Sequence, residues 1–210
     1  MKKLIFMFLA ILLCGMTQAQ TSEVILNNGK VVKGEIKRLS FNVDNTHDIR
    51  IKDEVSGEKF DYTSADVKEI KFYDKKAKEW TIWIPMHAQM GLGLSYKKEP
   101  KLYKNPVFLY PVYEGKNISA YVHYITTTTN TKSASISGFG LMFYYKAKNE
   151  DFARSYYVMD NSIAGIGQKT MLKMHFKGYP QIKEVLKGLS MKEIRKEPTI
   201  LVKKLDEVLK

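Results

Sequence analysis

Residues 27–39, NNGKVVKGEIKRL, join a turn signal to an alternating strand pattern. The Asn-Gly pair is typical of a tight β-hairpin turn, because both residue types tolerate positive φ. After it, Val32, Gly34 and Ile36 fall on one face while charged residues fall on the other, which is the period of two of a half-buried strand. A glycine inside a strand favours a sharp bend. The stretch therefore predicts a bent strand that follows a hairpin turn.

The same alternation extends over residues 21–74. The other segments predicted to be strands are EVIL, HDIRIK, EKFDY and KEIKFY. Ser64 in TSADV can cap a short turn before the last of them. Five short strands with one apolar face must bury that face, and closing the sheet into a barrel also removes exposed edges. We therefore expect a small β-barrel in this first unit.

Three segments of the first unit, LNNGKVVKGEIKRL, IRIKD and FDYTSADVKEIKF, resemble an Sm-like or SH3-type barrel. The similarity lies in the glycine-bent second strand and in the short turn that leads into the last strand. It covers residues 21–74, about a quarter of the chain. The resemblance implies a barrel fold, but small barrels have many unrelated activities, so it implies no particular function.

A charged connector, residues 74–79 (DKKAKE), leads to a second unit, an antiparallel meander predicted over residues 80–165. Its first segment, WTIWIPM, alternates, with Trp80 and Ile82 on one face and Trp83 on the other. Two aromatic segments, FGLMFYYKAK and ARSYYVMD, are predicted to be neighbouring strands joined by a turn at NED. The unit should contain five or six strands.

Between these segments lies VFLYPVYEGKNISAYVHYIT, which is predicted to be a hairpin with its turn at residues 114–117. Pro111 has no backbone N–H to donate, which favours an edge position or a kink for the first arm. Residues 126–138, TTTTNTKSASISG, are small and polar, and they predict a long flexible loop between strands.

The period changes to that of helices near residue 168. QKTMLKMHFKGYPQIKEVLKGL predicts two helices separated at Gly178 and Pro180. Ser190 and Glu193 have the spacing of a capping box, which predicts the start of another helix. Pro198 suits the first position of a last helix. Residues 166–210 should therefore form a helical cap on the sheet, and the fold class is mainly β (α+β).

The first nineteen residues have the pattern of a secretory signal peptide. MKK is positively charged, and Leu4–Leu13 is an apolar run that is shorter than the ~20 residues of a transmembrane helix. Thr17 and Ala19 are close to the usual small-residue cleavage pattern, so we expect cleavage before Gln20. The mature chain, with its barrel at residues 20–74, should then be exported to the periplasm or cell surface without a transmembrane segment.

A second resemblance agrees with export. LYPVYEGKNISAY, MFYYKAKNEDFA and MLKMHFKGYPQIKEVL occur in that order, and they resemble bacterial secreted or envelope proteins that combine a β-rich region with a short helical tail. The similarity spans most of residues 105–190. This group has no established activity, so the resemblance implies a location and not a substrate.

Charge and cysteine content limit the function classes. The formal charge is +12, and about +10 without Lys2 and Lys3, which favours anionic partners or serves solubility alone. The only cysteine, Cys14, lies in the leader after Leu13, which is larger than the residue that precedes a lipidated cysteine. A mature chain without thiols has no disulfides, no thiol catalysis and no thiolate metal sites.

No motif for catalysis, cofactor binding or metal binding occurs in the sequence. The four histidines are far apart, without ligand-like spacing to one another. His123 and Glu114 could meet across the predicted hairpin, and for this reason an undetected hydrolase in the second unit remains an alternative. Nucleic-acid binding by the barrel is a weaker alternative, because export separates the protein from nucleic acid.

Tyrosines on neighbouring strands provide the best candidate surface. Interleaved with basic residues, exposed aromatic side chains could engage a protein, an acidic glycan or a membrane surface. We therefore expect an exported, non-catalytic envelope binding or accessory protein of unknown oligomeric state. The candidate surface comprises Tyr121, Tyr124, Tyr144, Tyr145, Lys146, Lys148, Arg154 and Tyr156, with Tyr113 and Tyr157 nearby.

Overall fold

A computed structural model describes residues 21–39, 48–92, 100–130, 135–159 and 168–209. The predicted signal peptide lies outside these residues. The strands are β1 (Ser22–Leu26), β2 (Val31–Leu39), β3 (Asp48–Asp53), β4 (Lys59–Thr63), β5 (Val67–Asp74), β6 (Glu79–Met86), β7 (Val107–Tyr113), β8 (Ile118–Asn130), β9 (Ser135–Ala147) and β10 (Arg154–Met159). The described helices are α1 (Gln168–His175), α2 (Ile182–Gly188), α3 (Met191–Lys196) and α4 (Ile200–Val208).

The ten strands form one antiparallel sheet with the order β10-β9-β8-β7-β6-β5-β1-β2-β3-β4. The mainly β class is therefore confirmed. The charged connector is the turn of the β5–β6 hairpin, in which Tyr73 pairs with Trp80. The Asp74 carboxylate stabilises this turn by accepting from the backbone N–H groups of Lys76 and Ala77. The sheet thus continues without interruption from the first unit into the second.

All five predicted strands of the first unit are present, and β1–β5 share one apolar core. Its fully buried members include Val24, Ile49, Ile51 and Ile70. Gly34 is needed where β2 passes β3, because a Cβ at this position would collide with the Lys52 carbonyl. Among the described strands β4 pairs only with β3, so the sheet is open at that edge and barrel closure remains a prediction.

The second unit has three layers. One face of β7–β10 packs against the helices through an aromatic and aliphatic core that includes Tyr145, Phe176 and Leu205. The other face packs against the connection between β6 and β7, where Ala88 and Tyr103 are buried. The middle of β9 is therefore buried on both of its faces.

Two loop and strand predictions need correction. Residues 126–130 and 135–138 belong to strands and not to a loop: β8 continues to Asn130, β9 begins at Ser135, and Thr127 pairs with Gly138, while the rest of the predicted loop lies outside the described residues. Four consecutive threonines are β-branched and favour extended backbone, which outweighs their polarity. Pro111 does not mark an edge strand, because β7 lies between β6 and β8; the alternative prediction of a kink fits the irregular pairing at Pro111.

The helical predictions are confirmed, except that the last helix begins at Ile200, two residues after Pro198. α1 and α2 are separated by a segment that contains Gly178 and Pro180. Ser190 and Glu193 form the predicted capping box at the start of α3. None of the helices in the described part of the chain is long and apolar enough to cross a membrane.

Candidate functional site

Three of the candidate tyrosines are core residues. Tyr144, Tyr145 and Tyr156 are at most 2% exposed. The Tyr145 hydroxyl donates to the His175 carbonyl at 2.9 Å, and the Tyr156 hydroxyl donates to the Pro198 carbonyl at 3.1 Å. Burial raises the pKa of both phenols, which keeps them neutral donors. Both hydroxyls therefore connect the sheet to the helical layer and are not available to a partner.

A β-bulge at Tyr156, and burial of β9 on both of its faces, explain why alternation misplaced these side chains. The β9–β10 register shifts between Ser155 and Tyr157, so one residue is added to β10. Tyr156 and Tyr157 both belong to the core under the helices, although consecutive strand residues ordinarily point to opposite faces. Tyr144 is buried on the opposite face of β9, against the β6–β7 connection.

The remaining candidate residues do not form one surface. Arg154 is held by Glu150, with Nε and Oε1 2.7 Å apart, and its guanidinium lies 4.6 Å from the centre of the Phe152 ring. Tyr121 is half-buried, and burial raises the pKa of its phenol. Tyr124 is 49% exposed and lies further along β8, away from the hairpin turn.

Lys146 and Lys148 lie near the end of the β8–β9 pair where β8 begins, whereas Tyr124 lies at its middle, opposite Leu141. Lys146 pairs with Ser119, and the Lys148 backbone N–H donates to the Asn117 carbonyl. Lys148 is exposed, whereas Lys146 is half-buried. The basic residues and the exposed tyrosine are thus separated along the strand pair.

The pair considered for hydrolysis does not come together. His123 is fully buried, and its Nδ1 lies 3.0 Å from the Phe108 carbonyl oxygen. Glu114 is exposed in the turn that follows Tyr113, near the other end of the hairpin. Within the described ranges, no group of three or more His, Cys, Asp or Glu side chains has the arrangement of a metal site.

A different site lies where β1 begins. The described pairing of β1 starts with Ser22 opposite Gly34 and Glu23 opposite Lys71. Its neighbours continue beyond that point, β2 to Leu39 and β5 to Asp74. Two adjoining cavities of about 390 and 380 Å³ occupy the space between these strand ends, and they share Ile36, Phe72 and Asp74. We call them together the β2–β5 cleft.

Apolar side chains from four strands line the cleft. Ile36 and Leu39 come from β2, Phe72 from β5, Trp83 from β6 and Tyr124 from β8. The register places Ile70 opposite Trp83, so the indole points to the core face of β6 and is only 6% exposed. Trp80 is consequently on the outer face and 45% exposed.

The aromatic rings in the cleft support one another. The Trp83 ring lies 5.6 Å from the Tyr110 ring and 5.9 Å from the Tyr124 ring, both in tilted arrangements. The indole N–H donates to the Thr81 hydroxyl at 3.2 Å. Trp83 is thus buried among three neighbours, and Tyr124 is the exposed member of the group. The cleft therefore has an aromatic floor with one exposed ring.

The rim of the cleft has a positive excess. Four basic residues and two acidic residues line it: Lys37, Arg38, Lys75, Lys76, Glu35 and Asp74. Lys37 forms an ion pair with Glu35 at 2.6 Å, and Arg38 pairs with Asp48 at 2.7 Å. The hydrogen bond from Lys37, assisted by Lys75, lowers the pKa of Glu35. Glu35 and Asp74 are thus engaged, as are Lys37 and Arg38, and the remaining positive charge of the rim comes from the exposed Lys75 and Lys76.

A second polar cluster joins the last helix to the β7–β8 turn. Asp206 of α4 accepts from the Tyr113 hydroxyl and from the backbone N–H groups of Lys116, Asn117 and Ile118, at 2.7–3.1 Å. Partial burial alone would raise the pKa of this carboxyl, but the N–H donors prevail and lower it. A side chain at Gly115 would collide with Asp206. These hydrogen bonds link the last helix to the β7–β8 turn and so stabilise the contact between the helical layer and the sheet.

The sequence reasoning missed the cleft because its walls are distant in sequence. Phe72, Trp83 and Tyr124 become neighbours only through the pairing of β5, β6 and β8. The one indication of the cleft in the sequence was that aromatic residues occur on both faces of WTIWIPM. Comparisons with protein-family models, with curated proteins and with solved structures found no match, so the site rests on its own geometry.

Proposed function

We propose that this chain is an exported, non-catalytic envelope protein that binds a partner protein through the β2–β5 cleft. The observation that carries the proposal is the combination of an aromatic floor and a basic rim in one concave site. Buried aromatic anchors surrounded by a polar rim are typical of protein-binding sites. The tyrosine surface expected from the sequence is the weaker candidate, because three of its five tyrosines are buried.

We further propose that residues 21–74 are an Sm-like or SH3-type barrel that serves as an adapter. The strand order β5-β1-β2-β3-β4 and the single core shared by all five strands support strong curvature of this part of the sheet. In such an arrangement β6 occupies the outer edge of β5 and joins the adapter to the second unit. The cleft then lies at this junction.

The charge of the chain supports an acidic partner. The formal charge, +12 for the full chain and about +10 without Lys2 and Lys3, attracts anionic surfaces over distances of about 8–10 Å at physiological salt. An acidic glycan or an anionic membrane surface has compatible charge as well. The apolar floor favours a protein, since glycans and head groups leave aliphatic side chains such as Ile36 and Leu39 uncovered.

The test is site-specific photocrosslinking in cells, after mass spectrometry of the exported chain has established whether it begins at Gln20. A photoreactive residue replaces Lys37 on the rim or, as a control, Lys192 on the exposed side of α3. We expect one reproducible crosslinked protein from the Lys37 position only. Tyr124→Ala should abolish it, whereas Trp80→Ala, which removes an exposed ring outside the cleft, should not.

Two outcomes would contradict the proposal. If Tyr124→Ala leaves the Lys37 crosslink intact, the captured protein does not bind in the cleft. If no protein is captured, while the chain binds anionic vesicles or an acidic polysaccharide in a Tyr124-dependent way, the partner is a lipid or a glycan.

A further inference from the structure

We infer that the β2–β5 cleft binds an extended peptide segment of its partner, which adds to the sheet as a strand in line with β1. This inference rests on the proposed binding function and specifies the form of the ligand. Strand addition combines backbone hydrogen bonds, which supply affinity, with pockets for alternate side chains, which supply specificity. The cleft has both features.

The backbone at the cleft favours strand addition. Along the pairing that the described residues show, β2 beyond Gly34 pairs with β3 only, and β5 beyond Lys71 pairs with β6 only. The last residues of β2 and of β5 therefore border the same gap. Along this gap, the backbone edge of each strand is not paired with β1. Where the gap begins, the Tyr73 backbone N–H donates to the Ser22 hydroxyl at 3.1 Å. A side-chain oxygen there accepts the hydrogen bond that a backbone carbonyl of a neighbouring strand would otherwise accept.

The length of the gap suits a short segment. Thr21 precedes Ser22 and lines the same cavity beside Glu35, so the edge of β2 that remains runs from Ile36 to Leu39, roughly 13 Å at about 3.3 Å per residue. A segment of about four residues would cover this edge. If the leader is removed before Gln20, as the sequence predicts, only two residues of the mature chain precede β1. The gap would then be open to another chain.

The side chains around the gap predict the pattern of the ligand. Inward positions of an added strand would meet Ile36 and Phe72, and then the Trp83–Tyr124 pair. Outward positions would lie near Lys37, Lys75 and Lys76, where the charge is positive. Because side chains alternate between faces, the ligand should have apolar residues at every second position and Asp or Glu between them.

The experiment selects octapeptides from a displayed library on the purified exported chain. The best peptide is then synthesised twice, once unmodified and once with methyl groups on alternate backbone nitrogens. We expect the selected sequences to alternate apolar and acidic residues. N-methylation should weaken binding at least tenfold by fluorescence anisotropy, because it removes backbone donors without changing the side chains. Amide exchange should slow in residues 36–39 and 72–74.

The outcomes separate this inference from the proposed function. Equal affinity of the two peptides would mean that the cleft binds peptides without strand addition, which overturns the inference alone. Selection of no peptide, while the Tyr124-dependent crosslink from Lys37 persists, would also overturn only the inference. If the selected sequences match SEVIL of β1, the ligand is a second copy of this chain, and the assignment to a partner protein is wrong. Loss of both crosslink and peptide binding overturns both.

Discussion

The two ends of the sheet are stabilised in different ways. In β3 only alternate residues are buried, in β4 alternate residues are half-buried, and the outer face has ion pairs such as Arg50–Asp61. In β9 the consecutive residues Met142, Phe143, Tyr144 and Tyr145 are all buried, because helices cover one face and the β6–β7 connection covers the other. One continuous sheet thus passes from a two-layer region into a three-layer region.

This difference indicates where a binding site can be accommodated. Burial on both faces removes more apolar area from water per residue, at roughly 25 cal/mol per Å², so the second unit should supply most of the stability. The first unit buries one face and has a cleft where β1 begins. The proposed binding site thus lies at the junction of the two units, beside the less covered part of the sheet.

The largest effect on the free energy of unfolding is expected from Tyr145→Ala, in the three-layer region. The ring stacks on Phe176 at 4.4 Å, and its removal leaves a cavity between sheet and helices. We expect a loss of about 4 kcal/mol in the free energy of unfolding, measured by urea denaturation. Tyr145→Phe is the control, since it removes only the hydrogen bond to His175 and should cost about 1 kcal/mol. A loss below that of Ile51→Ala would contradict the three-layer interpretation.

Ile51→Ala probes the two-layer end. Ile51 is fully buried in the core of the first unit, and its truncation should cost about 3 kcal/mol. Because β5 and β6 pair across the boundary, we expect both units to unfold in one transition. Far-ultraviolet circular dichroism and tryptophan fluorescence should therefore give the same urea midpoint. Separate midpoints would show that the first unit unfolds alone.

Much of this fold could be predicted from the sequence, because its turn, strand and capping motifs agree with the strand pairing of the structure. The Asn-Gly turn is present as expected, with Gly29 at φ +85°, and the alternation of β1–β5 correctly marks their buried faces. The Ser190–Glu193 capping box likewise depends on residues only three positions apart. Predictions failed for residues 126–130 and 135–138, where polar composition was weighted above the strand propensity of threonine.

The candidate site could not be predicted for a different reason. The alternation of apolar and polar residues shows which side chains share a face of a strand, but not which of the two faces is buried. It therefore could not predict that Trp83 is buried and Trp80 exposed. It also assumes an unbroken register, and the bulge beside Tyr156 breaks it. The cleft depends on where β1 stops pairing with β2 and β5, which is a long-range property that no short motif encodes.

Asp206→Asn tests the link between the helical layer and the sheet. The carboxylate accepts three backbone N–H groups and one hydroxyl, whereas an amide would direct its own N–H₂ at some of these donors. We expect a loss of about 2 kcal/mol at pH 7 in urea denaturation. Lys204→Gln, on the exposed side of the same helix, is the matched control and should change little.

The pH dependence of this variant has a definite sign. The pKa of Asp206 is lower in the folded protein, so the folded state favours the charged carboxylate. Its stabilisation is complete above the unfolded-state pKa of about 3.9 and is lost as the pH falls through the folded-state pKa. The difference between wild type and Asp206→Asn should therefore shrink in acid. A difference that stays constant from pH 7 to pH 2.5 would show that the charge is irrelevant.

The smallest effect is expected from the ion pair on the outer face of the first unit. Arg50 and Asp61 form two parallel hydrogen bonds of 2.7 and 2.8 Å, which is good geometry, and the pair raises the pKa of Arg50 and lowers that of Asp61. Both side chains are solvent-exposed, so water and salt screen their attraction and ordering them costs entropy. A double-mutant cycle with Arg50→Ala and Asp61→Ala should give a coupling energy near the error of denaturation experiments, and it should vanish in 1 M salt. A coupling as large as the effect of Asp206→Asn would mean that the exposed face contributes to stability as the helical layer does, and the contrast between the two ends of the sheet would then be lost.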